Sequence, residues 1–390
     1  MAKRVGLEVS LAVADAVKMS KAEVVSAYPI TPQTHIVEEL SHFVANGELD
    51  AAFIPVESEH SAMSAAMGSA ATGARTYTAT SSQGLALMNE MLPIASAMRL
   101  PIVMTIANRS LSGPISIWND HSDIMSIRDV GWVQIFVENG QEAFDISVCA
   151  FKIAEDHRVL LPMGVNMDGF MLSHMIEPVE FPDQSDIDDF LPGFTAKMIL
   201  DPAEPVTMGP VGVPEVYMEA KVQCEQALIN SKPVVKEVLD GFAAKFGRQY
   251  NLVETNGKEG AKTLFVTMGS LGETVMTSVD EMNADGKDVG QVRIRLWRPF
   301  PQEEFLAAVK GADKLIVLDR ALSPGGVRGP VASELASLFH GQADAPEIVN
   351  VVAGLGGRDV SVDEFKEIYE TAQSGGFKDA YTVWGVMSNA

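Results

Sequence analysis

Ala51-Ala-Phe-Ile-Pro-Val56 runs into Glu57-Ser-Glu-His60 and then into Ser61-Ala-Met-Ser-Ala-Ala-Met-Gly-Ser-Ala-Ala-Thr-Gly-Ala74. The opening run carries no charge and reads as a buried strand. The closing run also carries none, and its Ala, Gly and Ser suit a helix buried on all sides against closely approaching backbones. Ser58 stands where a helix cap belongs, with a hydroxyl able to accept from an amide of the first turn. One or both of Glu57 and Glu59 therefore sit where a strand enters a deeply packed helix. A carboxylate at such a junction is a functional-site candidate. Its plainer role is to answer the positive end of the helix dipole.

The same alternation continues on both sides. Glu23–Tyr28 reads as a strand, followed by a helix that Thr31 caps and Pro32 opens, with Ile36, Val37, Leu40 and Val44 on one face and a stop near Gly47. Arg75–Thr80 reads as a strand, Gly84–Met98 as one helix bent at Pro93, and Pro101–Ala107 and Val133–Val137 as apolar strands. Gln141–His157 reads as an amphipathic helix and Val159–Asn166 as a last strand. Strands apolar throughout, alternating with helices, predict a parallel sheet covered on both faces. Met1–Glu23 reads as an amphipathic helix, not a signal peptide.

Residues 176–215 are punctuated by Pro178, Pro182, Pro192, Pro202, Pro205, Pro210 and Pro214 and read as a surface connector, with Asp183–Asp189 as a solvated acidic face. Val216–Tyr250 reads as helical, interrupted at Pro233. A second α/β unit follows, with strands at Thr263–Met268, Gln291–Leu296, Lys314–Leu318 and Ile348–Val352 and a closing helix at Val362–Gln373. The expected domains are 1–215 and 216–390.

Composition narrows the function. The net charge of −23, from 29 Lys+Arg against 52 Asp+Glu, argues against nucleic acid, whose phosphates require a basic footprint. Cys149 and Cys224 stand alone, without CxxC spacing, so this chain by itself holds neither a disulfide framework nor an iron–sulfur cluster, which fits a cytoplasmic location. No apolar run is long enough to insert in a membrane.

Open parallel sheets bind ligands beyond the carboxyl ends of their strands. There the chain places Tyr28-Pro29-Ile30-Thr31-Pro32, Glu57-Ser58-Glu59-His60, Ser81-Ser82-Gln83-Gly84 and Asn108-Arg109-Ser110. A hydroxyl, a carboxylate, an amide and a guanidinium on one edge suit a small polar molecule with an anionic group, which Arg109 can grip in bidentate fashion. Taken singly, Arg109 could instead form a structural ion pair with a glutamate of that edge, and Thr31 could be a cap alone. His121, between Asp120 and Asp123, has no second His at helical spacing and reads as a loop residue near the site. No metal ligand is assigned to this chain.

Tyr28-Pro-Ile-Thr-Pro32, Ser58-Glu59-x-x-Ala62, Ser82-Gln-Gly84, Asn108-Arg-Ser110 and Trp118-Asn-Asp-His-Ser-Asp123 resemble the α subunit of 2-oxoacid:ferredoxin oxidoreductases, pyruvate:ferredoxin oxidoreductase in particular. Met268-Gly-Ser270, Arg298-Pro-Phe-Pro301, Asp319-Arg320, Ser323-Pro-Gly-Gly326 and Gly354-Leu-Gly-Gly-Arg-Asp359 follow in the family's order, so the resemblance covers essentially the whole chain. It implies two Rossmann-like domains with mainly parallel sheets: the pyrimidine-binding half of a thiamine diphosphate site and a transketolase C-terminal-like domain. It also implies that Glu59 hydrogen-bonds N1′ of the aminopyrimidine and promotes its imino tautomer, with Tyr28, Pro29, Thr31 and Gln83 beside the cofactor. Thr31 and Arg109 would hold the substrate carboxylate, and Ile115 and Ile117 would wall the substrate's methyl side.

The chain lacks the Gly-Asp-Gly stretch by which thiamine enzymes hold Mg²⁺ and the diphosphate. The resemblance therefore implies half an active site. A β subunit would supply Mg²⁺ and the diphosphate half, and γ and ferredoxin-like subunits [4Fe-4S] clusters; coenzyme A is the acyl acceptor and ferredoxin the electron acceptor. The short Ser110–Trp118 loop with Gly113-Pro114 allows a larger branched or aryl 2-oxoacid such as phenylglyoxylate. A transketolase-like or decarboxylase component and a non-catalytic anion-binding subunit are the other readings. The Gly325, Gly326 and Gly329 turn lacks GxGxxG spacing and reads as a helix start.

Overall fold

The computed structural model describes residues 3–387. The first part of the chain forms strands β1 (Lys3–Glu8), β2 (Val24–Ala27), β3 (Ala52–Pro55), β4 (Thr76–Thr80), β5 (Ile102–Asn108), β6 (Val133–Phe136), β7 (Met163–Asp168) and β8 (Ile176–Phe181). The second part adds β9 (Val253–Gly257), β10 (Thr263–Thr267), β11 (Val289–Ile294), β12 (Leu296–Arg298), β13 (Lys314–Asp319), β14 (Glu347–Val352) and β15 (Thr382–Val383). They make a 7-stranded sheet in the order β12-β6-β7-β5-β4-β2-β3, a 6-stranded sheet in the order β15-β14-β13-β10-β11-β9, and a 2-stranded pair β1-β8.

Both large sheets are parallel except at one edge, where β12 runs antiparallel to β6 and β9 antiparallel to β11. Every residue of the mostly apolar β5 is buried, as befits a central strand covered on both faces. Helix Gly140–Glu155 covers one face of the first sheet, together with Val9–Met19 and the long helix Pro214–Phe246, whose Val234, Val238 and Phe242 join that core. On the other face, Ala62, Met63 and Ala66 belong to a core that is continuous with Val266, Val292 and Leu315 of the second sheet.

Several elements differ from the sequence expectations. Lys3–Glu8 is a strand and only Val9–Met19 is helical, because Lys3–Glu8 pairs with Ile176–Phe181, inside the expected connector; Met1 and Ala2 lie outside the described residues. The acidic run forms helix Gln184–Phe190, which buries Ile187 and Phe190 and pairs Asp188 with Lys21 at 2.6 Å. The helix after β2 begins at Thr34 with Gln33 at its cap, so Thr31 is not the cap. Gly84–Met98 is two helices, Ser82–Met88 and Leu92–Ala97, with Pro93 in the first turn of the second, where its missing N–H costs nothing.

Helix Pro214–Phe246 runs through Pro233 without a break. The carbonyl left without a donor belongs to Ile229, a residue 50% exposed, where water can serve it. The small-residue helix Glu59–Ala71 is buried on one face only, at Glu59, Ala62, Met63, Ala66, Met67, Ala70 and Ala71, while Gly68 is exposed. Its uniform smallness conceals which face is inward. The expected strand Gln291–Leu296 is divided, since the chain leaves the second sheet after Ile294 and enters the first at Leu296. The switch turns on buried Arg295, bonded to Glu142 and Glu254 at 2.6 and 2.7 Å. Helix Val362–Gln373 does not close the chain, because β15 follows it and pairs with β14.

Candidate active site

The loops after β2, β3, β4 and β5 meet beyond the carboxyl ends of their strands, and three contacts link them in series. Between the β3 and β4 loops, Glu59 faces Gly84, where a Cβ would stand 2.7 Å from Glu59 Oε1 and 2.8 Å from its Cγ. Between the β4 and β5 loops, Ser82 Oγ donates to the Ser110 carbonyl at 2.5 Å. Between the β5 and β2 loops, Arg109 Nη1 donates to the Thr31 carbonyl at 2.9 Å.

The two glutamates of the junction divide cleanly. Glu57 is exposed and accepts from the Ser61 hydroxyl, which lowers its pKa. Glu59 opens the helix, 7% exposed, behind the cap in which Ser58 Oγ accepts from the Ser61 amide at 3.2 Å. Among the described residues, no side chain or amide hydrogen-bonds or ion-pairs with the Glu59 carboxylate. Its oxygens are not sealed from solvent, so water can serve them in the free chain and a ligand can take that place. Gly84 leaves the space beside it open.

Arg109 is buried, and burial lowers its pKa while Asp123 opposes that change. Its Nε donates to the Ser116 carbonyl at 2.9 Å and its Nη1 to that of Thr31. No carboxylate of the edge pairs with it among the described residues, which removes the structural ion pair as its role and leaves Nη2 without a protein acceptor. Thr31 and Tyr28 are exposed at the rim, the Tyr28 carbonyl accepting from Gln33 Nε2 at 2.8 Å. Pro29 is exposed there too, and Gln83 is half-buried, its Oε1 2.7 Å from Ser82 Oγ. Ile115 is 75% and Ile117 42% exposed, so within this chain neither packs into a wall.

Asp123 is a functional residue that the sequence reading did not single out. It is fully buried, and its carboxylate accepts from the amides of Ser82, Arg109 and Ile124 at 3.1, 2.9 and 2.7 Å and from Asn108 Nδ2 at 3.0 Å. It thereby fixes the β4 and β5 loops relative to each other. Burial pushes its pKa up to about 6 against those hydrogen bonds. The only signal in sequence was an aspartate ending the quoted Trp118–Asp123 stretch.

The loop that ends at Trp118 is fastened from the second unit. Gly357 N donates to the Asn119 carbonyl at 2.6 Å, and a Cβ on Gly357 would stand 2.6 Å from that of Trp118. This close approach explains the glycine at 357, while Gly354 and Gly356 adopt φ of +71° and +58°. His121 lies in a loop and is buried there, with its Nε2 2.8 Å from Asp168 Oδ1. Asp168, at the end of β7, also accepts from Arg320 Nη1 at 2.9 Å and from the Ser270 amide at 2.8 Å. Burial alone would raise its pKa, but Arg320 and His121 hold it well below the ordinary range. The quoted motifs Met268–Ser270 and Asp319-Arg320 thus clamp the second unit to the first.

Comparisons with known proteins identify the family. The family described as pyruvate flavodoxin/ferredoxin oxidoreductase, thiamine diphosphate-binding, matches residues 15–240, and the pyruvate:ferredoxin oxidoreductase core domain II matches residues 261–365. The pyruvate synthase subunit PorA of Methanocaldococcus jannaschii is 50% identical over 96% of this chain and 95% of its own length. The ketoisovalerate oxidoreductase subunit VorA of Pyrococcus horikoshii is 42% identical over 90% of this chain and 89% of its own. Among solved structures, a chain of the Magnetococcus marinus 2-oxoglutarate:ferredoxin oxidoreductase shares the fold, with a TM-score of 0.70 at 20% identity, over 95% of this chain and 65% of that one. The chain belongs to the 2-oxoacid:ferredoxin oxidoreductase family, as an α subunit.

Proposed function

We propose that this chain binds the aminopyrimidine end of thiamine diphosphate in a multi-subunit enzyme that oxidatively decarboxylates pyruvate to acetyl-coenzyme A and CO2. The observation that carries the proposal is Glu59, buried without a protein partner and facing the one residue type, at Gly84, that leaves its carboxylate accessible. That pair fits the cofactor: the carboxyl can share a proton with a ring nitrogen in a site walled by an apolar helix. When bound, thiamine diphosphate supplies the carbon nucleophile and the electron sink for decarboxylation. Tyr28, Pro29 and Gln83 form the rim against which the ring would lie. Arg109, with Nη2 uncommitted, holds the 2-oxoacid carboxylate, and the Thr31 hydroxyl stands beside it. Ile115 and Ile117 meet the substrate's alkyl group.

The expected partner chains are a β subunit holding the diphosphate and Mg²⁺, and γ and ferredoxin-like subunits carrying [4Fe-4S] clusters that pass electrons to ferredoxin. Coenzyme A enters as acyl acceptor, and the assembly works in the cytoplasm. No helix among the described residues is long and apolar enough to cross a membrane. Likeness to PorA over nearly the whole chain supports pyruvate, whereas likeness to VorA and the exposed Ile115 favour a second reading, a branched 2-oxoacid.

The test is dye reduction by the purified complex with a panel of 2-oxoacids, with and without coenzyme A and thiamine diphosphate. Reduction needing all three, with pyruvate preferred by kcat/KM, supports the proposal. A preference for 3-methyl-2-oxobutanoate establishes the second reading, and reduction independent of thiamine diphosphate overturns both.

A further inference from the structure

A second cluster, made of residues other than those named for the active site, has the composition of a metal site. Glu8 ends β1, His35 lies in the first turn of helix Thr34–Ala45, and His174 lies in the turn after β7. One ligand atom from each lies within 4.8 Å of the other two, and all three residues are half-buried. His35 Nδ1 is 2.6 Å from Glu8 Oε1, and the His35 and His174 rings lie tilted against each other with centroids 4.7 Å apart.

The positions are fixed by the backbone. The amides of Val9 and Ser10 donate to the carbonyls of Met175 and Ser173, both at 3.0 Å, which locks Glu8 beside His174. Ser173 Oγ accepts from the Phe170 amide at 2.9 Å and lies 2.8 Å from His174 Nδ1. This contact fixes the ring orientation of His174, and a ligand at Nε2 would select the tautomer in which Nδ1–H donates to that hydroxyl.

We propose that Glu8, His35 and His174 bind a Zn²⁺-type ion that ties β1 and the helix after β2 to the turn after β7. Two imidazoles and one carboxylate match zinc and are a poor set for Mg²⁺, which prefers oxygen ligands in an octahedron. Tetrahedral zinc with bonds of about 2.0–2.1 Å sets its ligand atoms about 3.3 Å apart, so the triad needs about 1.5 Å of closure at its widest and water can take the fourth position. The ion would replace the His35–Glu8 hydrogen bond. The site uses neither Glu59 nor Arg109, so the inference stands whether or not the proposed reaction does. His174 also packs on Phe170, which packs on Trp118, with centroid separations of 4.4 and 4.8 Å, so the clamp abuts the end of the substrate loop.

Zn²⁺ is added to the purified complex and removed from solution by gel filtration, and retained zinc is measured for wild type, His35→Ala and His174→Ala. The expected result is one zinc fewer per chain in each variant, at least tenfold weaker zinc binding by calorimetry, and no such difference with Mg²⁺. Zinc held on partner subunits cancels in the difference. X-ray absorption at the zinc edge of the wild-type complex provides a reading that needs no variant, and should show imidazole scattering from a site with nitrogen and oxygen ligands. Equal zinc in wild type and both variants, or a wild-type spectrum without imidazole, overturns the inference and leaves the triad as a hydrogen-bonded pair with a tilted ring beside it.

Discussion

Gly84 faces Glu59 so closely that a Cβ there would come within 2.7 Å of Glu59 Oε1 and 2.5 Å of Thr80 Oγ1. The glycine is therefore a spatial requirement of the carboxylate. Gly84→Ala must push Glu59 aside or shift the helix it opens. Overpacking of this kind costs about 1–3 kcal/mol. The expected outcome is a folded complex with a thermal midpoint lowered by a few degrees and dye reduction reduced about 100-fold. Normal activity would mean that Glu59 has room to spare and that the contact is incidental.

Glu59→Gln separates chemistry from packing at the same place. The substitution keeps the shape and removes the ionisable proton, and since Glu59 has no protein partner the thermal midpoint should stay within a degree or so of wild type. A positioned carboxyl contributes about 10²–10⁴-fold to proton transfer. A loss of that size in kcat, with assembly intact by gel filtration, is expected in assays of 2-oxoacid oxidation. A variant retaining most of its rate would assign Glu59 to cofactor binding alone.

Arg109→Lys keeps the charge and loses the planar fork. The donors to Ser116 and Thr31 go with it, at 2.9 Å each in the wild type, and so does the uncommitted Nη2. Hydrogen bonds to charged groups are worth about 1.5–3 kcal/mol, and about 1.4 kcal/mol is tenfold. Steady-state kinetics should show KM for the 2-oxoacid raised about 10–100-fold with a smaller change in kcat. Because Arg109 grips the loop through Ser116, a kcat loss without a KM change would mean that it shapes the loop and does not hold substrate.

Much of this architecture is readable from residue type. Strands such as Ile102–Asn108 are mostly apolar because both faces are covered, and the four loops of the active edge follow directly from strand order. What escaped the sequence reading depends on contacts remote in the chain. Lys3–Glu8 becomes a strand only because Ile176–Phe181 lies beside it. Leu296–Arg298 leaves one sheet for another where Arg295 meets the buried carboxylate of Glu142 and the half-buried one of Glu254. Local propensity contains neither fact. Asp123 and Asp168 were visible as residues, but only the fold shows which amides and cations converge on them. A single aspartate ending an apolar strand, as in Met163–Asp168, is the signal that could have prompted the question.

The link between the two units should respond to acid. Buried Glu142 accepts from Arg293 Nη1 and Nη2 at 3.0 and 2.9 Å and from Arg295 Nη2 at 2.6 Å. Burial works to raise its pKa, but the two arginines prevail and bring it to about 2, against an ordinary value of 4.5. A carboxylate depressed in the folded state contributes stability that is fully present above 4.5 and is lost as pH falls from there toward 2. The contribution near neutrality is on the order of 3 kcal/mol, similar to the cost of breaking a buried ion pair. Glu142→Gln should therefore lower the thermal midpoint clearly at pH near 7, and the gap to wild type should narrow as the buffer is taken below about 4.5. Neighbouring Glu138, which burial pushes up to about 7 with Arg293 opposing, titrates in the other direction, and because the Glu142 charge adds to that rise the substitution also lowers the Glu138 pKa. A gap independent of pH would show that Glu142 stabilises the junction by packing and not as the counter-ion of Arg293 and Arg295.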